Sequence, residues 1–341
     1  MTFGESAMAT APITDETARA LRASWFAYLD TVEPLRTPLH AYGLRLTGNV
    51  WDAEDLVQET LLKGFAMIGR GDLHGPGSPV DNPRAYLFRT ATNLWLDAQR
   101  RRGRELRALA EPAAQAGDVA APVDSGDLRD AAERLMSASP QARAAVILKD
   151  VFEFSLEEIA DQLRTTVGGV KAALSRGRAA VQTEPAASGL GPSRELVDRF
   201  IDAFMSRDVA AITASLTRAC DIHVPGVGGG RGRRGGWAEA SLGHQGIRLE
   251  PVRYRGEWVI LGLNLETDGP DSLYDVMRLE EADGQVSRIV NYCFCPDTLA
   301  AIGADLGVPV KPWGYHQPPD ILPRMIETTT LPWGSPGGKL H

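Results

Sequence analysis

The spacing of the apolar residues changes once along this chain, and that change limits what the chain can fold into. In the front part, apolar residues recur three or four apart: Leu39, Tyr42 and Leu46; Ala53, Val57, Leu61 and Ile68; and later Leu196, Val197, Phe200, Ile201 and Phe204. That repeat suits helices with one buried face. After Asp221 the pattern becomes that of strands, in CDIHVPG, IRLEPVRYR, EWVILGLNLET, SLYDVMRLEE and QVSRIVNYCFC. Asp283-Gly284, between the last two, signals a hairpin turn. The expected molecule is therefore helical in front and α+β behind. With 341 residues there is room for two or three domains, each with its own core. Two stretches without periodicity, AEPAAQAGDVAAPVDS and EPAASGLGP, read as linkers. The predicted division is 20–109, a linker at 110–126, 127–183, a linker at 184–192, 193–308, and a Pro-rich tail at 309–341.

The net charge of −8 argues against a simple nucleic-acid binder, but its distribution argues otherwise. Met1 to Asp81 carries 11 acids and 6 bases, whereas Asn82 to Leu109 carries 7 arginines against Asp97 and Glu105. Thr165 to Gln182 has three bases and no acid. Local field, not net charge, steers a polyanion. No apolar run approaches the roughly 20 residues needed to span a bilayer, and the start of the chain lacks a basic, then apolar, leader. The three cysteines, Cys220, Cys293 and Cys295, fit a reducing compartment. A cytoplasmic location is expected. Cys293-Phe-Cys295 has no second ligand pair at zinc spacing and reads as thiols in an apolar strand.

On a helix, Asp52, Asp55 and Glu59 share one face, while Ala53, Val57 and Leu61 lie on another. Asp52 and Glu54 also suit the helix dipole. By periodicity alone this is a solvated acidic face. The next helix opens with an Asn82 cap and Pro83, and is expected to reach about Arg102, with Gly103 ending or weakening it. Tyr86, Phe88 and Trp95 lie among its bases; at least Phe88 or Trp95 is expected in the core. Further on, SLEEIADQLRTTVGGVKAALSRGRAAV reads as a helix-turn-helix: a short helix from Leu156 to Leu163, a turn at Arg164-Thr165, and a second helix capped by Thr166. Gly168-Gly169 puts two poor helix formers in its first turn.

DAEDLVQETLLKGF, a loop, then NPRAYLFRTATNLWLDAQRRR resembles region 2 of the extracytoplasmic-function (ECF) sigma factors of bacterial RNA polymerase, over about Leu35 to Arg104. The helix-turn-helix resembles region 4 of the same family. The resemblance implies a promoter-recognition subunit whose partners are core RNA polymerase and promoter DNA. It puts Asp52, Asp55, Gln58 and Glu59 against the polymerase. It puts Asn93, Asp97, Arg100 and Arg101 on the minus-ten element, and Thr166, Lys171, Ser175 and Arg176 on the minus-thirty-five element. The loop Gly69–Asp81 sits where the family captures a flipped base.

The third domain resembles the SnoaL-like, cone-shaped α+β fold found appended to some of these sigma factors. That implies regulation within one chain, with no separate anti-sigma factor required. Asp221, His223, His244 and Tyr274 could be read as cone chemistry, but no acid–base pair has a readable spacing. No enzyme activity, cofactor or metal is expected, while an unknown small ligand of the cone stays open. The alternatives are a helix-turn-helix regulator, or a bifunctional protein whose cone binds or converts a small molecule.

Overall fold

The computed structural model describes residues 15–68, 82–109, 138–179, 191–225, 228–231 and 246–315. The loop 69–81, both predicted linkers (except Gly191 and Pro192), His244 and the tail beyond Tyr315 lie outside the described residues. By proximity the chain divides into two compact units, each taken by itself below. One holds residues 32–187; the other holds 188–341 together with the residues up to Thr31.

Helix α1 (Asp15–Thr47), which belongs to the helical unit from Val32 onward, stops at Gly48, whose φ of +70° only glycine adopts without strain. Leu39, Tyr42 and Leu46 are buried, as their spacing predicts. Helix α2 (Val50–Ile68) buries Ala53, Val57 and Leu61. Helix α3 (Pro83–Leu109) is capped by Asn82, whose side-chain oxygen accepts from the Ala85 N–H at 3.0 Å. It does not stop near Arg102. It runs through Gly103, where an added Cβ would meet nothing within 4 Å, so glycine costs the helix some propensity without breaking it. Phe88 and Trp95 are both core residues.

The second half of this unit begins with α4 (Pro140–Val146), which passes into a single π-helical turn (Ile147–Val151). Glu153 then adopts a left-handed φ of +59°, and α5 (Leu156–Gln162) follows. A capping box opens α5: Ser155 Oγ accepts from the Glu158 N–H, and the Glu158 carboxylate accepts from the Ser155 N–H. Ile159, Ala160 and Leu163 face inward as expected. The turn uses Arg164 at φ +50°, and α6 (Val167–Ala179) follows. Gly177 lies at the crossing of α4 and α6. A Cβ there would stand 2.9 Å from the Ala142 carbonyl oxygen, so glycine permits this close helix packing.

In the other unit, α7 (Arg194–Met205) and α8 (Val209–Ser215) precede a six-stranded sheet. Its strands are β1 (Leu216–Val224), β2 (Gly228–Arg231), β3 (Ile247–Tyr254), β4 (Glu257–Asn264), β5 (Ser272–Ala282) and β6 (Gln285–Asn291), and α9 (Pro296–Leu306) follows. The order is β2-β1-β6-β5-β4-β3, with β1 and β6 parallel and every other pair antiparallel. This is the expected α+β architecture. Leu196, Val197, Phe200 and Phe204 from α7 close a core against Ile260, Met277 and Ile289 of the sheet. Asp283-Gly284 makes the predicted hairpin, with both φ values positive.

Two features differ from expectation. Cys293 and Cys295 are buried in the turn after β6, not in a strand. Pro309 to Lys311, predicted as tail, pair in parallel with Leu273 of β5: the Leu273 N–H donates to the Pro309 carbonyl at 2.7 Å and the Lys311 N–H to the Leu273 carbonyl at 2.9 Å. Trp313 then stacks on Tyr274 with ring centres 5.0 Å apart.

Candidate nucleic-acid interface

Helix α2 sorts its carboxylates by face. Asp52, Asp55 and Glu59 are exposed along one stripe, and Gln58 is half-buried beside it. Glu54 is different: it is buried, with Arg36 Nη2 3.7 Å and His40 Nε2 3.9 Å from its carboxylate oxygens. The Gln58 amide donates to the same carboxylate at 2.5 Å. Gln58 therefore helps to fix Glu54 as well as facing the acidic stripe. The sequence alone assigns Glu54 to the dipole; its position one residue from Ala53, on the buried side, was the missed signal.

On α3, Asp97, Arg100 and Arg101 are exposed and Asn93 is half-buried. Arg100 Nη1 donates to Asp97 Oδ1 at 2.7 Å, across one helical turn. Arg102 and Arg104 extend the exposed positive charge toward the helix end, where cations also suit the dipole. Tyr86 stays half-buried, with the Arg89 guanidinium 6.0 Å from its ring centre.

On the helix-turn-helix, Thr166 caps α6 through its Oγ1, which accepts from the Gly169 N–H at 3.1 Å. Gly169 is held close: a Cβ there would reach 2.4 Å from Thr165 Oγ1, whereas one at Gly168 meets Thr166 Oγ1 only at 3.8 Å. Thr166, Lys171, Ser175 and Arg176 are exposed, with Lys171 and Ser175 one turn apart on one face. The buried side of α6 is Val170, Ala173 and Leu174. The helix thus shows solvent a polar, basic surface of the kind that enters a major groove.

Sequence reasoning did not single out Arg84, Arg89 and Arg143. Arg84 Nη2 donates to the Phe152 carbonyl at 3.1 Å, and its guanidinium lies 4.7 Å from the Phe154 ring centre. Arg89 Nη1 donates to Asp161 Oδ2 at 3.0 Å. Buried Arg143 donates to the Leu46 carbonyl at 2.7 Å, at the end of α1, and lies over the Trp95 ring. No local pattern marks these residues, because their hydrogen-bond partners lie 68 or more positions away.

Among the four residues readable as cone chemistry, half-buried Asp221 pairs with Arg288 at 3.5 Å, and Tyr274 is buried under Trp313. The buried polar pair of the sheet is instead Asp275 and Asn291. The Asn291 amide donates to the Asp275 carboxylate, and the nearby backbone N–H groups of Val276, Tyr292 and Cys293 favour its charged form. Burial outweighs these donors and pushes the Asp275 carboxyl up to about 7.

An acidic helix face, a basic helix end and a helix-turn-helix in one chain are features of a class of DNA-binding proteins. Comparison with known proteins narrows that class. Residues 31–105 match Sigma-70 region 2, and residues 129–181 match Sigma-70, region 4. The chain is 34% identical over 145 residues to the ECF RNA polymerase sigma factor EcfG of Rhodopseudomonas palustris, covering 41% of this chain and 75% of that protein. It is 31% identical over 233 residues to the ECF RNA polymerase sigma factor SigG of Mycobacterium tuberculosis, covering 57% of this chain and 60% of that one. The chain belongs to the ECF sigma factor family. It spans about three fifths of the length of SigG. A solved structure of the sigma factor RpoE from Bartonella quintana, in complex with the anti-sigma factor NepR, aligns with a TM-score of 0.34 and 31% identity over 44% of this chain and 92% of that one. The expectation that no separate anti-sigma factor is required has no support in these comparisons. Among the described residues, no helix is long and apolar enough to cross a membrane.

Proposed function

We propose that this chain binds core RNA polymerase, recognises minus-ten and minus-thirty-five promoter elements, and starts transcription, with its sheet domain acting as a regulator in cis. Membership of the ECF family supports the first part. The observation that carries it is the separation of charge on the helical unit: exposed carboxylates at Asp52, Asp55 and Glu59 on α2, exposed arginines at Arg100 and Arg101 on α3, and an exposed basic surface on α6. In this reading the α2 stripe, with Gln58 at its edge, docks on the polymerase. Asn93, Asp97, Arg100 and Arg101 face the minus-ten strand. Thr166, Lys171, Ser175 and Arg176 face the minus-thirty-five groove.

The role is non-catalytic and its site is the cytoplasmic polymerase. The sheet domain is read as SnoaL-like from its order of two helices, then a mixed sheet. The test is transcription by core polymerase supplied with the purified chain and a library of promoter fragments. The intact chain is expected to direct initiation at defined sites. Arg100→Ala with Arg101→Ala is expected to reduce it and to lower the salt slope of promoter binding by roughly 0.7 to 0.9 per lost phosphate contact. A chain that binds DNA yet never directs core polymerase is a helix-turn-helix regulator instead.

A further inference from the structure

The sheet carries one buried polar pair among apolar neighbours, and a short strap lies against it. Pleat alternation puts Asp275 of β5 on the side of Met277, and Asn291 of β6 on the side of Ile289, which is the side packed against α7. The Asn291 amide donates to Asp275 Oδ2. Among the described residues, the other two oxygens of the pair, Asp275 Oδ1 and Asn291 Oδ1, are buried and accept no hydrogen bond. Buried acceptors that have lost water and gained no donor are costly. A bulge sets both Tyr274 and Asp275 opposite Gly262. A Cβ at Gly262 would lie 3.0 Å from Asp275 Cβ and 3.0 Å from Tyr274 Cζ, so both side chains stand on this side of the strand. The strap is residues 309–315. Its Trp313 stacks on Tyr274 and packs against Cys293 and Phe294. It therefore covers the residue before Asp275 and the turn just after Asn291. The two backbone bonds to Leu273, Lys311 Nζ donating to Glu266 at 3.1 Å, and the Tyr315 hydroxyl donating to Asp297 complete its hold.

We propose that Asp275 and Asn291 close an acid–amide ring, with Asp275 Oδ1–H donating to Asn291 Oδ1, and that this single proton latches the strap 309–315 onto β5. One proton gives both orphaned oxygens a hydrogen bond. Lifting the strap takes Trp313 off Tyr274 and Cys293 and lets water reach the pair. With the strap closed, burial holds the Asp275 carboxyl up to about 7. With water admitted, it returns toward the ordinary carboxyl value of about 4. Between these two values, closing the strap takes up a proton. Closure therefore weakens as pH rises through this window and levels off above about 7. The ionisable neighbours do not compete for this role. Burial raises the Tyr274 phenol and the Cys293 thiol, and the Asp275 charge raises both further, so both stay neutral where Asp275 titrates. Arg278 is held by Glu257, and Lys311 by Glu266. On the same face β4 presents Ile260 and Gly262, and β1 presents Ile222.

The experiment follows hydrogen exchange of the Leu273 and Lys311 amides, which make the two bonds between strap and β5, in the full chain. Rates are corrected for the intrinsic change of exchange with pH. Protection is expected to fall about tenfold per pH unit between about 5 and 6.5, the limit for one linked proton, and to level off above about 7. Asp275→Asn keeps the ring, because its amide donates to Asn291 Oδ1 in place of the proton. Protection in that chain is expected to be independent of pH. The reciprocal measurement separates a strap latch from the stability of the whole domain. In folded Trp313→Ala, the Asp275 carboxyl, followed by its NMR signal, is expected to titrate well below its value in the unmodified chain and toward about 4. If Trp313→Ala disturbs folding, Lys311→Ala with Tyr315→Phe loosens the strap at its other contacts and is expected to give a smaller drop in the same direction. Protection that ignores pH in the unmodified chain, an equal pH slope in Asp275→Asn, or an unmoved Asp275 midpoint when the strap is loosened overturns the latch.

Discussion

Two buried carboxylates, one in each compact unit, are treated in opposite ways. In the helical unit Glu54 is paired with cationic or protonatable side chains, Arg36 and His40, and receives the Gln58 amide. In the sheet domain Asp275 has the Asn291 amide as donor and backbone N–H groups close by, with no cation among them. Helices can bring long side chains together inside a bundle, so a charge can be met by a charge. A central strand offers its neighbours' backbone and short side chains, so Asp275 answers burial by holding its proton. A third set, Asp52, Asp55 and Glu59, is exposed to solvent and pays little burial cost.

The largest expected effect is at Glu54. Glu54→Ala leaves Arg36 buried without that carboxylate, and removing one partner of a buried pair costs about 3–5 kcal/mol. Urea denaturation should show the helical unit losing its transition first. A loss below about 1 kcal/mol would mean that the pair is interchangeable with packing.

The next effect depends on pH. Below the unfolded carboxyl value, near 4, Asp275 is protonated in both states and contributes no difference. Between there and about 7 the unfolded chain releases the proton while the folded domain keeps it. The unfolded state then binds fewer protons, so stability falls as pH rises through this window and levels off above it. The total is on the order of a few kcal/mol. Asp275→Asn should flatten this dependence in melts of the sheet domain from pH 4 to 8. An unchanged slope would mean that the proton is held elsewhere.

The smallest effect on stability, and the largest on partnership, belongs to the exposed stripe. Asp55→Arg with Glu59→Arg should move stability by only about 0.5 kcal/mol while weakening binding to core polymerase in a titration. Equal affinity would return these residues to ordinary solvated charge.

Periodicity was enough to read the helix-turn-helix, its capping residue Thr166, the α7 core face and the order of helices and strands, because each depends on neighbours within a few residues. The charge pattern likewise separated Asp55 and Glu59 from Val57 and Leu61. What escaped it depends on distant partners. Gly177 is small because α4 passes over it, and nothing beside it in the chain announces that. Glu54 was counted with its acidic neighbours, although one residue of rotation around a helix is about 100° and turns it inward.

The strand contact of Pro309 to Lys311 with Leu273 has a consequence for the order in which the protein comes into being. Everything the helical unit needs has been synthesised by Ala179. Tyr315, whose hydroxyl donates to Asp297 at 2.6 Å, follows about 136 residues later, roughly 7–27 s of translation. Until then the sheet lacks the segment that borders β5, and Trp313 has not yet covered Tyr274. Each newly made molecule therefore passes through an interval in which helices α1 to α6 have all been synthesised and its carboxy-terminal domain has not.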